Sequence, residues 1–210
     1  MKKQILIAGT GGISKEVLCL IMDLGRCDDV IGFIEPDFIL DEGNLPSEIL
    51  GKPVLPYSKV DPEKHCVTIA IGDSGIREKA ITQLPKGVEF ISLIHPAAVI
   101  SKWVTLGEGA IVCAGTIITC DINIGKHAQL NLNTTIGHDC NIGDFFTTAP
   151  GVNISGNCTF GDHVYFGTSS SIKQGVSLIG DVTIGMGAVV TKDIKEPGVY
   201  IGSPARKLIK

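Results

Sequence analysis

The sequence is poor in several features that mark particular classes of protein. Aromatic residues make up only 5% of the 210 residues, so a core must be built mainly from small aliphatic side chains. No basic run stands out and the net charge is −4, which argues against a nucleic-acid-binding protein and against a polybasic membrane tether. No stretch approaches the roughly 20 consecutive apolar residues of a transmembrane helix. We therefore expect neither a nucleic acid nor a membrane as a partner.

The amino terminus lacks the long apolar segment of an export signal. Two lysines precede an apolar run, but that run covers only residues 5–8 and glycines follow it at once, which is typical of a buried first strand. The seven cysteines are an odd number and form no CxxC pair. Free thiols in a reducing cytoplasm fit this pattern best, and a cytoplasmic protein is the expectation.

A six-residue repeat fills the second half of the chain. Every sixth residue from Ile94 to Val190 is large and apolar in sixteen of seventeen cases, and only Thr148 departs. Residues two positions earlier are mostly small or β-branched, and glycine recurs one position later. A repeat of this kind, found by self-similarity at a fixed period, is the signature of a solenoid.

The repeat has a direct geometric interpretation. Six residues give a short strand and a tight turn, and three such units close a triangular coil of 18 residues. Coils stack with strands about 4.8 Å apart, so that like residues lie above one another. We interpret the recurrent glycine, or Asn131 in its place, as the residue that turns each corner. The segment predicts a parallel β-helix of between five and six coils.

The first ninety residues have a different pattern, in which strands alternate with helices. Strands are predicted at residues 4–8, 30–34, 66–71 and 88–94. Helices are predicted at residues 13–24, with Ser14 as a candidate cap, and at residues 76–84. Residues 37–56 are predicted to be irregular. This alternation predicts a small parallel sheet. The expected domains are residues 1–94, an α/β unit, and residues 95–210, the all-β helix with its carboxyl-terminal tail.

A glycine loop follows the first strand. Gly9-Thr10-Gly11-Gly12 resembles part of the dinucleotide fingerprint, although Ser14 stands where the third glycine belongs. A glycine loop at a helix amino terminus can receive a phosphate. Gly72 and Asp73 follow another strand and are expected beside that loop, so a nucleotide-like ligand is favoured over a bare turn.

Three histidines lie in the repeat region. His127 and His163 share a repeat position and are interpreted as surface corner residues. His138 is followed by Asp139, whose carboxylate can orient an imidazole and increase its basicity. From the pattern alone, a surface histidine and a catalytic base remain equally open for His138.

The chain resembles the bacterial sugar acyltransferases that join a Rossmann-like domain to a left-handed β-helix. This group includes sialic acid O-acetyltransferases and N-acetyltransferases of UDP-4-amino sugars, and the resemblance spans nearly the whole chain. It rests on the glycine loop and on these segments: Ala70-Ile71-Gly72-Asp73 with Ile76-Arg77, His95-Pro96, Gly137-His138-Asp139-Cys140, Ala149-Pro150-Gly151, Ser155-Gly156-Asn157, Gly185-Met186-Gly187-Ala188 and Gly202-Ser203-Pro204-Ala205-Arg206.

The resemblance implies a homotrimer that transfers an acetyl group from acetyl-CoA to a nucleotide-linked amino sugar of surface-glycan biosynthesis. It implies that His138 is the general base and Asp139 its supporting acid, with no metal and no covalent intermediate. The sugar nucleotide is expected at Gly11, Gly12, Ile13, Glu35, Gly72 and Asp73. Acetyl-CoA is expected at Gly156, Gly167, Thr168, Met186, Gly187, Pro204 and Ala205, with a backbone N–H near Gly156 as the oxyanion donor.

Two positions depart from the pattern of some enzymes in this group. Those enzymes carry histidines where this chain has Ile13 and Thr147, and both positions are expected to contact the acceptor. O-acetylation of a sialic acid is therefore the main alternative, and a non-catalytic sugar-nucleotide-binding protein is the alternative from another class. The histidine spacings do not supply the zinc ligands of a γ-type carbonic anhydrase. Cys140 is expected to be an inward-pointing core residue and not a nucleophile.

Overall fold

The computed structural model describes residues 2–209. The chain divides into two compact units, Met1–Leu93 and Ile94–Lys210. No helix within residues 2–209 is both long enough and apolar enough to cross a lipid bilayer.

The first unit is built on a six-stranded sheet of order β3-β4-β2-β1-β5-β6. Its strands are β1 (Gln4–Ala8), β2 (Val30–Glu35), β3 (Glu48–Ile49), β4 (Lys52–Pro56), β5 (His65–Ile69) and β6 (Glu89–Phe90). Its helices are α1 (Gly12–Asp23), α2 (Asp37–Asp41) and α3 (Ser74–Gln83), with 3-10 turns at Cys27–Asp29 and Tyr57–Lys59. The central strand β1 is almost fully buried and pairs in parallel with β2 and β5. The carboxyl ends of these three strands therefore meet at one edge of the sheet.

Three predictions for this unit are wrong. Residues 37–56 are not irregular, because they form α2 and the antiparallel pair of β3 with β4. Gly43, Pro46 and Gly51 lie between these short elements, whereas Pro53 lies within β4. Ser14 does not cap α1, since the helix begins at Gly12 and the Ser14 hydroxyl donates back to the Gly11 carbonyl at 2.6 Å. The predicted strand at residues 88–94 is interrupted and forms β6 and β7 (Leu93–Ile94).

The second unit is a parallel β-helix of two- and three-residue strands, which ends in a four-residue strand and its short antiparallel partner. From β7 onward they are β8 (Val99–Ile100), β9 (Val104–Leu106), β10 (Ile111–Val112), β11 (Ile117–Ile118), β12 (Ile122–Ile124), β13 (Gln129–Leu130), β14 (Thr135–Ile136), β15 (Asn141–Ile142), β16 (Thr147–Thr148), β17 (Asn153–Ile154), β18 (Thr159–Phe160), β19 (Tyr165–Phe166), β20 (Ser171–Ile172), β21 (Ser177–Leu178), β22 (Val182–Ile184), β23 (Val189–Val190), β24 (Gly198–Ile201) and β25 (Arg206–Lys207). They form three sheets, of orders β25-β24-β22-β19-β16-β13-β10-β7, β23-β20-β17-β14-β11-β8 and β21-β18-β15-β12-β9.

The register of each sheet is the 18-residue coil that the repeat predicts. Ile118, for example, pairs with Ile136, and Ile136 pairs with Ile154. The large aliphatic residues of the repeat fill the interior, where those from Val112 to Val190 form one continuous buried cluster. Burial of this apolar surface supplies the main stabilisation of the unit, since each fully buried aliphatic side chain contributes about 1.5–3 kcal/mol.

Thr148, the exception in the aliphatic row, is accommodated by a buried polar cluster. Its hydroxyl lies 2.7 Å from that of Thr134 and accepts the Asn131 backbone N–H at 3.1 Å. The Thr134 hydroxyl also donates to the Asn131 carbonyl. Because these groups satisfy one another, the interior tolerates a hydroxyl at this position.

The corners are not turned by the residues that the repeat suggested. Every sixth residue from Gly109 to Gly187 has a positive φ, and these residues lie two positions beyond the recurrent glycine. The recurrent glycine serves close stacking instead: a Cβ on Gly107 would lie 2.6 Å from the Gly125 carbonyl carbon of the next coil. The prediction for Asn131 is wrong for the same reason, because its φ is not positive.

The prediction that His127 is a surface residue is also wrong. His127 is buried and stacks on the Phe145 ring at 5.5 Å, and Phe145 stacks on His163 at 4.9 Å. The three rings occupy the same corner in successive coils, all with positive φ. Such parallel stacking contributes about 0.5–1.5 kcal/mol per pair beyond the area that it buries, which helps to offset the left-handed backbone of a bulky residue.

Candidate active site

His138 and Asp139 form a hydrogen-bonded pair at one corner of the β-helix, just after β14. The Nδ1 atom of His138 lies 2.6 Å from Oδ2 of Asp139, and both side chains are half exposed. Asp139 has a φ of 60°, and its N–H donates to the Cys120 carbonyl of the preceding coil at 3.1 Å. The carboxylate is thereby fixed beside the ring. When Nδ1 donates to it, Nε2 carries the lone pair of a base.

Gly156 lies one coil beyond His138 in the same column of residues. The imidazole occupies the space where a side chain at residue 156 would lie, with Cε1 and Nε2 both 2.7 Å from the position of a Cβ. Gly156 is one of the residues expected to bind acetyl-CoA, and the structure places it beside the predicted base.

Cys140 follows the pair and points inward. It is 2% exposed, and its Sγ donates weakly to the carbonyls of His138 and Ser155. Hydrogen bonding with Cys158, together with burial, raises the pKa of the Cys140 thiol far above its usual range. A thiol in this state is not a nucleophile at neutral pH.

The carboxyl edge of the sheet in the first unit holds the predicted sugar-nucleotide residues. The glycine loop runs from Gly9 into α1, whose amino terminus exposes Gly11 and Gly12. A Cβ on Gly9 would lie 2.8 Å from the Ala70 carbonyl oxygen, so this loop packs closely against the segment after β5. Free N–H groups at the start of a 12-residue helix favour an anion there.

Glu35 is linked to the same loop. The Thr10 hydroxyl donates to Oε1 of Glu35 at 2.7 Å, so the end of β2 and the glycine loop are joined through side chains. An acidic residue at this place in Rossmann-like folds binds ribose hydroxyls. Thr10 was not predicted as a site residue.

The segment after β5 is held by two groups beneath it. Asp73 caps α3, since its Oδ1 accepts the Ile76 N–H at 2.8 Å. Arg77 is fully buried, and its Nη1 donates to the carbonyls of Ile71 at 2.7 Å and Gly72 at 3.2 Å. Burial lowers the pKa of Arg77 to about 10. Gly72 is exposed above this support, and the motif that contains Arg77 was noted in the sequence without a role for it.

Four of the predicted acetyl-CoA residues lie together at a second corner of the β-helix. The Gly187 N–H donates to the Thr168 carbonyl at 2.8 Å, and a Cβ on Gly167 would lie 2.7 Å from the Met186 nitrogen. Met186 is 78% exposed. The carboxyl-terminal tail packs beside this corner, because the Ala205 N–H donates to the Val189 carbonyl at 2.8 Å. The peptide bond between Ser203 and Pro204 is cis.

Of the two predicted acceptor residues that depart from the family pattern, Thr147 lies on another sheet of the β-helix than His138, and Ile13 lies in the first unit. Thr147 is only 5% exposed, its hydroxyl donates to the Phe145 carbonyl, and it belongs to a different sheet from β14. Ile13 is half-buried in the first turn of α1. No group of three or more His, Cys, Asp or Glu side chains suited to a metal ion is found within residues 2–209.

Two family models match this chain. Residues 4–84 match the PglD N-terminal domain, and residues 99–120 and 159–192 match the hexapeptide repeat of succinyl-transferase. No curated protein sequence matches the chain at a significant level.

Three solved structures are similar over nearly the full length. WeeI from Acinetobacter baumannii AYE is 34% identical, with 99% of this chain and 100% of that chain covered and a TM-score of 0.89. PerB from Caulobacter crescentus, in complex with CoA and GDP-perosamine, is 28% identical, with 99% and 98% covered and a TM-score of 0.88. The acetyltransferase domain of PglB from Neisseria gonorrhoeae FA1090, in complex with acetyl coenzyme A, is 28% identical, with 99% and 100% covered and a TM-score of 0.85.

These matches confirm the predicted fold, a Rossmann-like α/β domain followed by a left-handed parallel β-helix. The match to WeeI is close and complete enough to show the family. This chain belongs to the hexapeptide-repeat sugar acetyltransferases that carry a PglD-type amino-terminal domain.

Proposed function

We propose that this protein transfers an acetyl group from acetyl-CoA to the amine of a nucleotide-linked amino sugar of the 4-amino-4,6-dideoxy type. The observation that carries the proposal is the 2.6 Å contact between Nδ1 of His138 and Asp139, in a fold shared end to end with an enzyme crystallised with CoA and GDP-perosamine. A related matched structure is described as a perosamine N-acetyltransferase, which favours N-acetylation over O-acetylation.

The proposed reaction is a direct transfer. Nε2 of His138 accepts a proton as the acceptor amine attacks the thioester carbonyl, and a tetrahedral oxyanion forms. The Gly156 N–H, one coil beyond the base, is the candidate donor to that oxyanion. The carbon–sulfur bond then breaks, and the proton passes to the departing CoA thiolate. A general base of this kind contributes about 10²–10⁴-fold to the rate.

The acceptor's nucleotide is assigned to the first unit. The diphosphate is held by the N–H groups of Gly11, Gly12 and Ile13 at the start of α1, and the ribose by Glu35. Gly72 completes this edge. Asp73 acts mainly by capping α3, and the loop after β5 contacts the nucleotide through its backbone.

Acetyl-CoA is assigned to the exposed corner formed by Gly167, Thr168, Met186 and Gly187, with Pro204 and Ala205 alongside.

A homotrimer is part of the proposal. It is supported by Val99 and Ile117, which are 62% and 43% exposed on the outer face of one β-helix sheet and would be covered by another subunit. Surface-glycan biosynthesis and a cytoplasmic location complete the proposed role.

The test is CoA release from acetyl-CoA with a panel of acceptors. The panel contains UDP-, GDP- and dTDP-linked 4-amino-4,6-dideoxy sugars, with free sialic acid as the O-acetyl alternative. Turnover with one nucleotide amino sugar, with the acetyl group located on nitrogen by NMR, is the expected result. Turnover on sialic acid alone would move the protein to O-acetylation, and acceptor binding without CoA release would indicate a non-catalytic binding protein.

A further inference from the structure

We infer that Gly156 is a positioning residue for His138, and that the missing side chain at residue 156 sets the orientation of the imidazole. The inference rests on the proposed role of His138 as the base. It concerns the space above the glycine and is separate from the role of its N–H as an oxyanion donor.

The first observation is the position of the ring. A Cβ on Gly156 would lie 2.7 Å from Nε2 and Cε1 of His138 and 3.0 Å from Cδ2. Non-bonded carbon atoms are comfortable only near 3.5–4.0 Å. The end of the ring that carries Nε2 therefore fills the volume of the side chain that residue 156 does not have.

The second observation is that the backbone does not require glycine here. The φ of Gly156 is not positive, unlike that of its neighbour Asn157 at 56°. A side chain at residue 156 would be compatible with the local backbone. What it would meet first is the imidazole, a half-exposed group that can turn away into solvent.

The third observation comes from the column of residues at this corner. Successive coils place Lys102, Cys120, His138, Gly156, Gln174 and Lys192 there, and only residue 156 lacks a side chain. The gap falls directly beyond the predicted base. On the opposite side, the Cys120 carbonyl holds the Asp139 N–H.

One hydrogen bond and one open space define the position of the ring. Asp139 holds Nδ1 from one side, and the space over Gly156 accommodates Nε2 on the other. This orientation places the lone pair of the base beside the N–H that would face the oxyanion. A base displaced by about 1 Å or more loses efficiency steeply, on the order of a hundredfold.

The experiment compares Gly156→Ala with wild type, with Gln174→Ala as the matched control. Alanine at residue 156 keeps the N–H and adds only a Cβ. Gln174 follows Gly156 in the same column and is exposed, so its replacement by alanine alters the column without filling the space that the imidazole occupies. We expect Gly156→Ala to lower kcat at least tenfold, with little change in the KM for acetyl-CoA and an unchanged melting temperature, while Gln174→Ala keeps wild-type kcat.

A second readout does not depend on the proposed reaction. The imidazole resonances of His138, followed by NMR through a pH titration, should shift in Gly156→Ala, because the added Cβ displaces the ring from the space over residue 156. If those resonances and kcat both match wild type, the inference is overturned. If the resonances shift but wild type transfers no acetyl group to any acceptor, the proposed function fails and the positioning role of Gly156 stands.

Discussion

Nδ1 of His138 lies 2.6 Å from Oδ2 of Asp139, and the two residues are adjacent in the chain. Adjacent side chains seldom meet in this way in a regular strand, where they point to opposite faces. Here the positive φ of Asp139 turns the carboxylate back toward the ring. The pair is therefore a product of the corner of the β-helix.

This relationship predicts the effect of Asp139→Asn. The amide cannot offer the same charge to Nδ1, so the imidazole loses both its orientation and part of its basicity. We expect kcat to fall by roughly tenfold to a hundredfold, less than the loss of the base itself. Steady-state kinetics with a saturating amino sugar will measure it, and an unchanged kcat would show that Asp139 does not support the base.

Glu35 is predicted to act on acceptor binding alone. Glu35→Ala removes the carboxylate that accepts from Thr10 and is assigned to the ribose. A hydrogen bond to a charged group contributes about 1.5–3 kcal/mol, so we expect the KM for the sugar nucleotide to rise at least tenfold.

The KM for acetyl-CoA is the internal control for this variant, and it should not change. Thr10→Val, which removes only the orienting hydroxyl, should give a smaller rise in the same KM. Equal effects of Glu35→Ala on both substrates would contradict the assignment.

Arg77 is predicted to support the loop that follows β5. Arg77→Met keeps most of the side-chain volume but leaves the Ile71 and Gly72 carbonyls without their buried donor. We expect the free energy of unfolding of the first unit to fall by about 2–4 kcal/mol. Chemical denaturation will measure this loss, and hydrogen exchange of the β5 amides will show that it lies in the first unit. A variant as stable as wild type would show that the buried guanidinium contributes nothing to the free energy of unfolding.

Thr148 tests the polar cluster inside the β-helix. From the repeat alone, valine should be favourable there, because the other members of the row are large and apolar. The structure predicts the opposite: Thr148→Val leaves the Asn131 N–H without its acceptor and removes one of the two hydrogen bonds of the Thr134 hydroxyl, at a cost of about 1–3 kcal/mol.

The matched control for that substitution is Thr135→Val, because the Thr135 hydroxyl bonds Asn153 at the exposed surface. We expect the control to change stability by less than about 0.5 kcal/mol. A stabilising Thr148→Val, measured by thermal unfolding of both variants, would mean that the repeat rule outweighs the polar cluster.

The sequence was most informative where one physical rule acts at a fixed period. The aliphatic row predicted the coil and its 18-residue register, because burial of one face must recur in every coil. It could not separate a glycine needed for close stacking, such as Gly107, from a residue that turns a corner, such as Gly109, since both recur every six residues.

Contacts between distant residues were the second limit. His138 and Asp139 are neighbours in the sequence, but the fit of the imidazole over Gly156 depends on a side-chain orientation that only the folded structure defines. Residues that are 18 positions apart fall in one column of the β-helix, and this spacing already relates Cys120, His138 and Gly156. No such period exists in the first unit, where the Thr10–Glu35 bond and the burial of Arg77 follow from the pairing of β1 with β2 and β5.

The most direct test of the mechanism is the turnover of His138→Ala with the amino-sugar acceptor that wild type acetylates. We predict a kcat at least about a hundredfold below wild type, as expected for the loss of a general base, with an unchanged melting temperature because the side chain is half exposed. A variant that folds normally and retains most of the wild-type kcat would contradict the account, because no base would then be needed at this corner of the β-helix.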